Sequence, residues 1–315
     1  MTSRTPWTGC GTALVTPFTT GGAIDEAALR RLTRRQIDSG IHFLVPCGTT
    51  GETPTLNRDE RMRVVQIVAE EAAGRVPVLA GAGGYHTDEV CHLADDMAAS
   101  GATGLLSVAP YYNKPTQEGL YQHFRAIATH TPLPIVVYNV PGRTGCNIEP
   151  TTLRRLAAVP GIVGVKEASG NMFQIAEIVR SMPTSFIVLS GDDALTLPSM
   201  AVGGRGVISV ASNEAPASMS AMVEAAEAGD FVRARAWHNL LLPLMQVNFV
   251  ESNPIPVKAA LAMMGLIEER YRLPMVPPSD DARARVRQVI ETLGLLDGRE
   301  PSLPMRDTLE QEYAA

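Results

Sequence analysis

Hydrophobic and polar positions along this 315-residue chain follow two periods in alternation. Short apolar or β-branched runs at 12–16, 42–47, 76–81, 103–108, 134–139, 162–167, 186–190 and 206–210 read as strands. Each is nearly continuous rather than alternating, as expected of a parallel sheet covered by helices on both faces. Between them, 25–39, 58–73, 87–100, 117–129 and 171–182 carry apolar residues at helical spacing. Cap-type residues open several of these segments: Asp25, Asn57, Thr87, and Thr151 after Pro150. The eight alternations fill roughly the first 230 residues, which predicts a closed (β/α)8 barrel rather than a doubly wound sheet.

Beyond the alternation, 231–249, 256–264 and 282–293 read as helices separated by the Pro-rich stretches 253–256 and 273–278. The expected organisation is therefore α/β: a barrel over 1–228, a small C-terminal helical domain over 229–296 and a polar tail over 297–315.

Composition narrows the function classes. The chain is 45% hydrophobic and 19% charged, enough for a sizeable core and unlike a disordered chain. Lys and Arg total 27 against 33 Asp and Glu, a net charge of −6 without basic runs, which argues against nucleic acid and anionic membranes as partners. No apolar stretch approaches a membrane span, and residues 1–11 lack the layout of a signal peptide, so a cytoplasmic protein is expected. Four cysteines without a C-x-x-C pair, and six histidines without H-E-x-x-H, predict reduced thiols and no metal. The sequence Gly81-Ala82-Gly83 imitates a dinucleotide fingerprint, but its sixth position is His86, and a tight barrel loop explains it. No redox cofactor is expected.

The chain's only lysines are Lys114, Lys166 and Lys258. Lys166 closes the apolar run 162–166, where period-two alternation sets it on one face with Ile162 and Gly164. Pointing into a barrel, its amine would be desolvated and its pKa lowered, as a Schiff-base nucleophile requires, with Gly164 leaving room for the stem. The alternative is a lysine snorkelling out to Glu167; the collection of catalytic groups at barrel strand ends favours the first. Lys114 and Lys258 have no apolar strand setting and read as solvated or structural.

Tyr138 ends the fifth run, and its hydroxyl can move a proton; Arg143, in the following loop, offers a planar fork for a carboxylate. Gly48-Thr49-Thr50-Gly51-Glu52 reads as a carboxylate cradle or as an ordinary turn. Asp192-Asp193 reads as a site rim or a helix cap; adjacent in sequence, they make no acid/base pair facing one substrate.

These segments, with Tyr111-Tyr112-Asn113-Lys114-Pro115, Tyr138-Asn139-Val140-Pro141-Gly142-Arg143-Thr144, Val165-Lys166-Glu167-Ala168 and Asn253-Pro254-Ile255-Pro256-Val257-Lys258, occur in the order that resembles the dihydrodipicolinate synthase (4-hydroxy-tetrahydrodipicolinate synthase) family of pyruvate-dependent class I aldolases. The likeness runs from about residue 9 to residue 296. It implies a homotetramer, a dimer of dimers, that condenses pyruvate with aspartate 4-semialdehyde in the diaminopimelate route to lysine, without a cofactor. It further implies Lys166 as the Schiff-base lysine and Tyr138, Thr50 and Tyr112 as a hydroxyl relay, Tyr112 reaching into the neighbouring subunit. Thr49 and Thr50 would hold the pyruvate carboxylate and Arg143 the semialdehyde carboxylate, with the backbone of Gly191 and Ile208 lining the pocket. Sister aldolases, such as N-acetylneuraminate lyase or a 2-keto-3-deoxy sugar acid aldolase, share the lysine, the tyrosine and the Gly/Thr turn. Arg143, Tyr111–Tyr112 and Asp192–Asp193 fit the synthase better. Lysine-inhibited relatives bind lysine with a histidine-containing set; Thr53, Pro54, Arg58, Arg61 and Tyr85 stand here instead, which predicts weak or absent inhibition.

Overall fold

A computed structural model of the chain describes residues 7–303. In chain order the elements are β1 (Gly9–Ala13), α1 (Glu26–Asp38), β2 (Phe43–Val45), α2 (Arg58–Ala72), β3 (Leu79–Gly81), α3 (Thr87–Ala99), β4 (Gly104–Val108), α4 (Gln117–His130), β5 (Ile135–Asn139), α5 (Pro141–Thr144), α6 (Pro150–Leu156), β6 (Ile162–Glu167), α7 (Met172–Ser181), β7 (Ile187–Ser190), α8 (Thr196–Ala201), β8 (Gly206–Ser209) and α9 (Pro216–Glu227). After them come α10 (Phe231–Val247), α11 (Ile255–Met263) and α12 (Asp280–Thr292), the C-terminal helices beside the barrel. No described helix is long and apolar enough to cross a membrane.

All strand pairs are parallel, in the order β2-β1-β8-β7-β6-β5-β4-β3. The two ends of that order meet. Leu44 bridges Val78, Leu44 N–H donates to the Pro77 carbonyl at 3.0 Å, and Gly81 N–H donates to the Pro46 carbonyl at 2.9 Å, which closes the (β/α)8 barrel. Inward side chains such as Phe43, Leu106, Val136 and Leu189 fill the barrel, while Leu44, Leu105, Val137 and Val188 pack outward under the helices. Both faces of every strand are thus dry, the physical reason the runs are continuously apolar.

Three local expectations are corrected. The first strand begins at Gly9, not at residue 12: a Cβ at Gly11 would come within 2.1 Å of the Phe43 ring, so this strand needs the glycines that make it look like a turn. Helix α3 is capped by His86, whose ring accepts the Glu89 N–H at 3.2 Å, because Thr87 spends its hydroxyl on His123 Nδ1 at 2.9 Å. Helix α6 starts at Pro150, which fits the first helical position because its missing N–H has no partner to lose there; Glu149, not Thr151, precedes it. Asp25 and Asn57 cap α1 and α2 as expected, Asn57 in a reciprocal box with Glu60.

Of the predicted tail, 304–315 lie outside the described residues. Glu300 accepts from the backbone of Ser218 at 2.7 Å and of Ala217 at 3.2 Å, a carboxylate on the first turn of α9.

Candidate active site

The C-terminal ends of β5, β6 and β7 and the turn after β2 meet at one end of the barrel. Tyr138 and Lys166 are register partners on β5 and β6, each 6% exposed, and Lys166 Nζ lies 4.4 Å from the centroid of the Tyr138 ring. The alternation that aims them inward is not the simple one. The register slips between Ile135 and Val136, so that Val163 is an extra residue on β6. Ile162 consequently packs in the outer cluster, while Val163 packs against the inner one with Tyr138, which corrects the expectation that Ile162 shares the Lys166 face. Nor does Gly164 make room for the lysine stem. A Cβ there would meet the Ile187 carbonyl oxygen at 2.6 Å, so it serves the approach of β7. The residue that clears the stem is Gly191, where a Cβ would stand 3.0 Å from Lys166 Cε.

Glu167 points the other way. Its carboxylate accepts from Asn139 Nδ2 at 2.9 Å and from the Ser169 N–H at 2.8 Å, and not from Lys166. Burial pushes this carboxyl above the usual carboxylate range, against the pull of its Ser169 and Asn139 hydrogen bonds. The snorkelling alternative for Lys166 therefore has no partner at Glu167.

Facing the lysine is a cavity of about 120 Å³ whose lining includes Thr49, Thr50, Tyr138, Arg143, Lys166 and Gly191. Six of the eight residues singled out for the site are thus together. A neighbouring cavity of about 280 Å³ shares Thr49, Tyr138, Val140 and Arg143 with it. Thr50 is 2% exposed, and its hydroxyl accepts a hydrogen bond from Asn253 Nδ2 at 3.0 Å. Arg143, on α5, donates through Nη2 to the Asn253 carbonyl at 3.3 Å. Chemically, this is an enclosed amine beside a phenol, with hydroxyls on one side and a guanidinium at the rim.

Two expected residues lie elsewhere. Tyr112 is 92% exposed on the loop between β4 and α4, at a left-handed φ of 70°, and is not among the residues lining the cavity. Ile208 is buried in the inner barrel cluster, and Val210 lines the cavity in its place. Asp192 combines both of its readings, lining the cavity and capping the turn over Asp193–Leu195 through the Ala194 N–H at 3.0 Å. Asp193 is a structural cap, fully buried and accepting from the Val210 and Ala211 N–H groups at 2.9 and 3.0 Å. Asn253 and Phe249 also line the cavity and were missed. Asn253 opens the Pro-rich stretch 253–256, but nothing in the sequence places it near Thr50. Lys258 is wholly buried and ion-paired with Glu52, not solvated. Among the described residues, no group of three or more His, Cys, Asp or Glu side chains could hold a metal ion.

Residues 6–293 match the profile of one protein family, described as the dihydrodipicolinate synthetase family. A curated relative from Koribacter versatilis (strain Ellin345), named 4-hydroxy-tetrahydrodipicolinate synthase, is 56% identical over 91% of this chain and 96% of its own. The solved dihydrodipicolinate synthase from Aquifex aeolicus superposes with a TM-score of 0.90 at 45% identity, covering 92% of this chain and 99% of that one. A structure described as the first monomeric dihydrodipicolinate synthase variant superposes equally well, with a TM-score of 0.90 at 46% identity over 91% of this chain and 97% of its own.

Proposed function

The chain belongs to the dihydrodipicolinate synthetase family, and from that premise we propose that it is the enzyme that condenses pyruvate with aspartate 4-semialdehyde, working through a Schiff base on Lys166. The observation that carries the site assignment is the enclosure of Lys166 against the Tyr138 ring in a small cavity that Thr49 and Thr50 also line. The sister-aldolase alternative is not favoured, since relatives at 50% identity or more carry the synthase name.

The unprotonated Lys166 amine adds to the ketone carbon of pyruvate, and Tyr138 passes protons as the carbinolamine loses water. The resulting iminium withdraws electrons from the neighbouring methyl group, which loses a proton to leave an enamine. The enamine carbon attacks the aldehyde, whose oxygen takes up a proton. The substrate's own amine then adds to the iminium carbon, displaces Lys166 and closes the ring. Thr49 and Thr50 hold the pyruvate carboxylate, and Arg143 holds that of the semialdehyde. Gly191 contributes to the pocket wall, and Val210 stands there where Ile208 was expected.

The assembly in this reading is a cytoplasmic homotetramer, a dimer of dimers, with Tyr112 entering a neighbouring copy's site to complete the relay with Thr50 and Tyr138. The exposure of Tyr112 and its left-handed backbone support this, because a tyrosine holds such a conformation where further contacts enforce it. Sedimentation at assay concentration should give a species of four times the 33.7 kDa chain. The test of the activity is pyruvate consumption with aspartate semialdehyde and, in parallel, with N-acetylmannosamine, for the parent and for Lys166→Ala. Turnover with the semialdehyde alone, abolished in the variant, is the expected result. Turnover only with the amino sugar would move the chain to the lyase branch.

A further inference from the structure

Lys258 and Glu52 form an ion pair with side-chain exposures of 0% and 1%. It joins α11 to the turn after β2, across 206 residues of sequence. Desolvating both charges is costly, and an apolar pair of similar volume holds a core as well or better, so stability alone is a poor account of it. Its placement is a better one. Glu52 has a left-handed backbone, φ 51°, which a non-glycine residue keeps only where its surroundings enforce it. One carboxylate oxygen meets Lys258 Nζ, and the other accepts the Arg272 N–H at 3.3 Å. The Glu52 carbonyl accepts the Thr55 N–H at 2.8 Å. The ammonium is itself held between rings, 4.3 Å from the Phe18 centroid and 5.3 Å from that of Tyr271.

Glu52 stands two residues after Thr50. The intervening Gly51 gives its carbonyl to the Thr16 hydroxyl at 2.7 Å, and Thr50 Oγ1 accepts from Asn253, just ahead of α11. A hydroxyl that accepts a hydrogen bond from a fixed direction turns its own proton another way, and Thr50 lines the cavity together with Tyr138. We propose that Lys258 is a positioning residue: through its buried pair with Glu52 it holds the turn that presents Thr50, so that the Thr50 proton points toward Tyr138 and the bound keto acid. This rests on the reading that the Thr50 hydroxyl takes part in the condensation.

Lys258→Met alone would leave a buried carboxylate without its ammonium partner, so the pair is removed whole, as Glu52→Gln with Lys258→Met, in the parent and in a Thr50→Val background. Circular dichroism and the thermal midpoint check the fold, and kcat and the pyruvate KM are measured with saturating semialdehyde. In the parent background kcat should fall about ten- to hundredfold, with a smaller change in KM. In the Thr50→Val background the same removal should cost less than about twofold, because the residue it acts through is already gone. Equal losses in both backgrounds, the signature of a merely structural pair, would overturn the proposal, as would an undiminished kcat in the parent background. Thr50→Val turning over at the parent rate would fail the underlying reading and the proposal with it, and it is recognised without touching the pair. Should the double variant not fold, Glu52→Gln alone, which keeps an acceptor for Lys258, goes through the same cycle with the same outcomes.

Discussion

Nζ of Lys166 lies 4.4 Å from the ring centroid of Tyr138, its register partner on the next strand. Parallel pairing puts the two side chains side by side on the inner face, and the bulge at Val163 brings the lysine onto that face. The contact is with the ring and not with the phenol hydroxyl, which separates two roles that substitution can divide.

Tyr138→Phe keeps the ring beneath the lysine and deletes only the hydroxyl. If the hydroxyl moves protons, kcat should fall about 100-fold or more while the fold and the pyruvate site persist. Borohydride trapping of the pyruvate adduct, followed by mass spectrometry, should still label Lys166. A kcat within threefold of the parent would remove the phenol from proton transfer.

Arg143 stands at the rim shared by the two cavities, its guanidinium donating to the Asn253 carbonyl on the segment between α10 and α11. Arg143→Ala should therefore raise the KM for aspartate semialdehyde about tenfold or more and leave that for pyruvate nearly unchanged. Equal increases for both substrates would mean that the arginine shapes the site rather than binding the acceptor.

Lysine should inhibit weakly or not at all. Arg58 and Arg61 line a cavity of about 670 Å³ with Tyr85, Glu89 and Tyr111, and Arg58 is locked on Asp96 by two 2.6 Å hydrogen bonds. Asp96 offsets the Arg58 charge, and Arg61, hydrogen-bonded to the Leu56 and Thr53 carbonyls rather than to a carboxylate, is the guanidinium that opposes a second cation there. Initial rates against lysine concentration check this, and half-inhibition at submillimolar lysine would reverse it.

Acid should unmask one buried histidine. His123 is 5% exposed, and burial pushes its imidazole down to about 4. In the unfolded chain it titrates near 6.5, so between those values the unfolded state binds the proton first and stability falls as pH falls. The contribution is complete above about 6.5, is lost on descending through about 4, and amounts to at most about 3 kcal/mol. His123→Gln should flatten the thermal midpoint between these pH values relative to the parent, whereas parallel curves would place the acid sensitivity elsewhere.

The sequence by itself determined the strand–helix alternation, because burial on both faces writes a continuous apolar run into each strand and amphipathic spacing into each helix. It also marked Lys166, Tyr138 and Arg143, since polar groups at the ends of apolar runs stand out against them. Gly9 and Gly11 hid the start of the first strand, because close packing against the rings of His42 and Phe43 and ordinary turn formation use the same residue type. The bulge at Val163 was illegible, since an inserted residue leaves local composition unchanged and appears only when β5 pairs with β6. Tertiary structure alone decided the partners of the Gly/Thr turn. Asn253 reaches Thr50 across 203 residues and Lys258 reaches Glu52 across 206, and no periodicity spans such distances. Their meeting is decided by the closure of the barrel and the docking of α11 beside it. Thus, a lysine that reads as solvated or structural becomes a wholly buried charge behind the site.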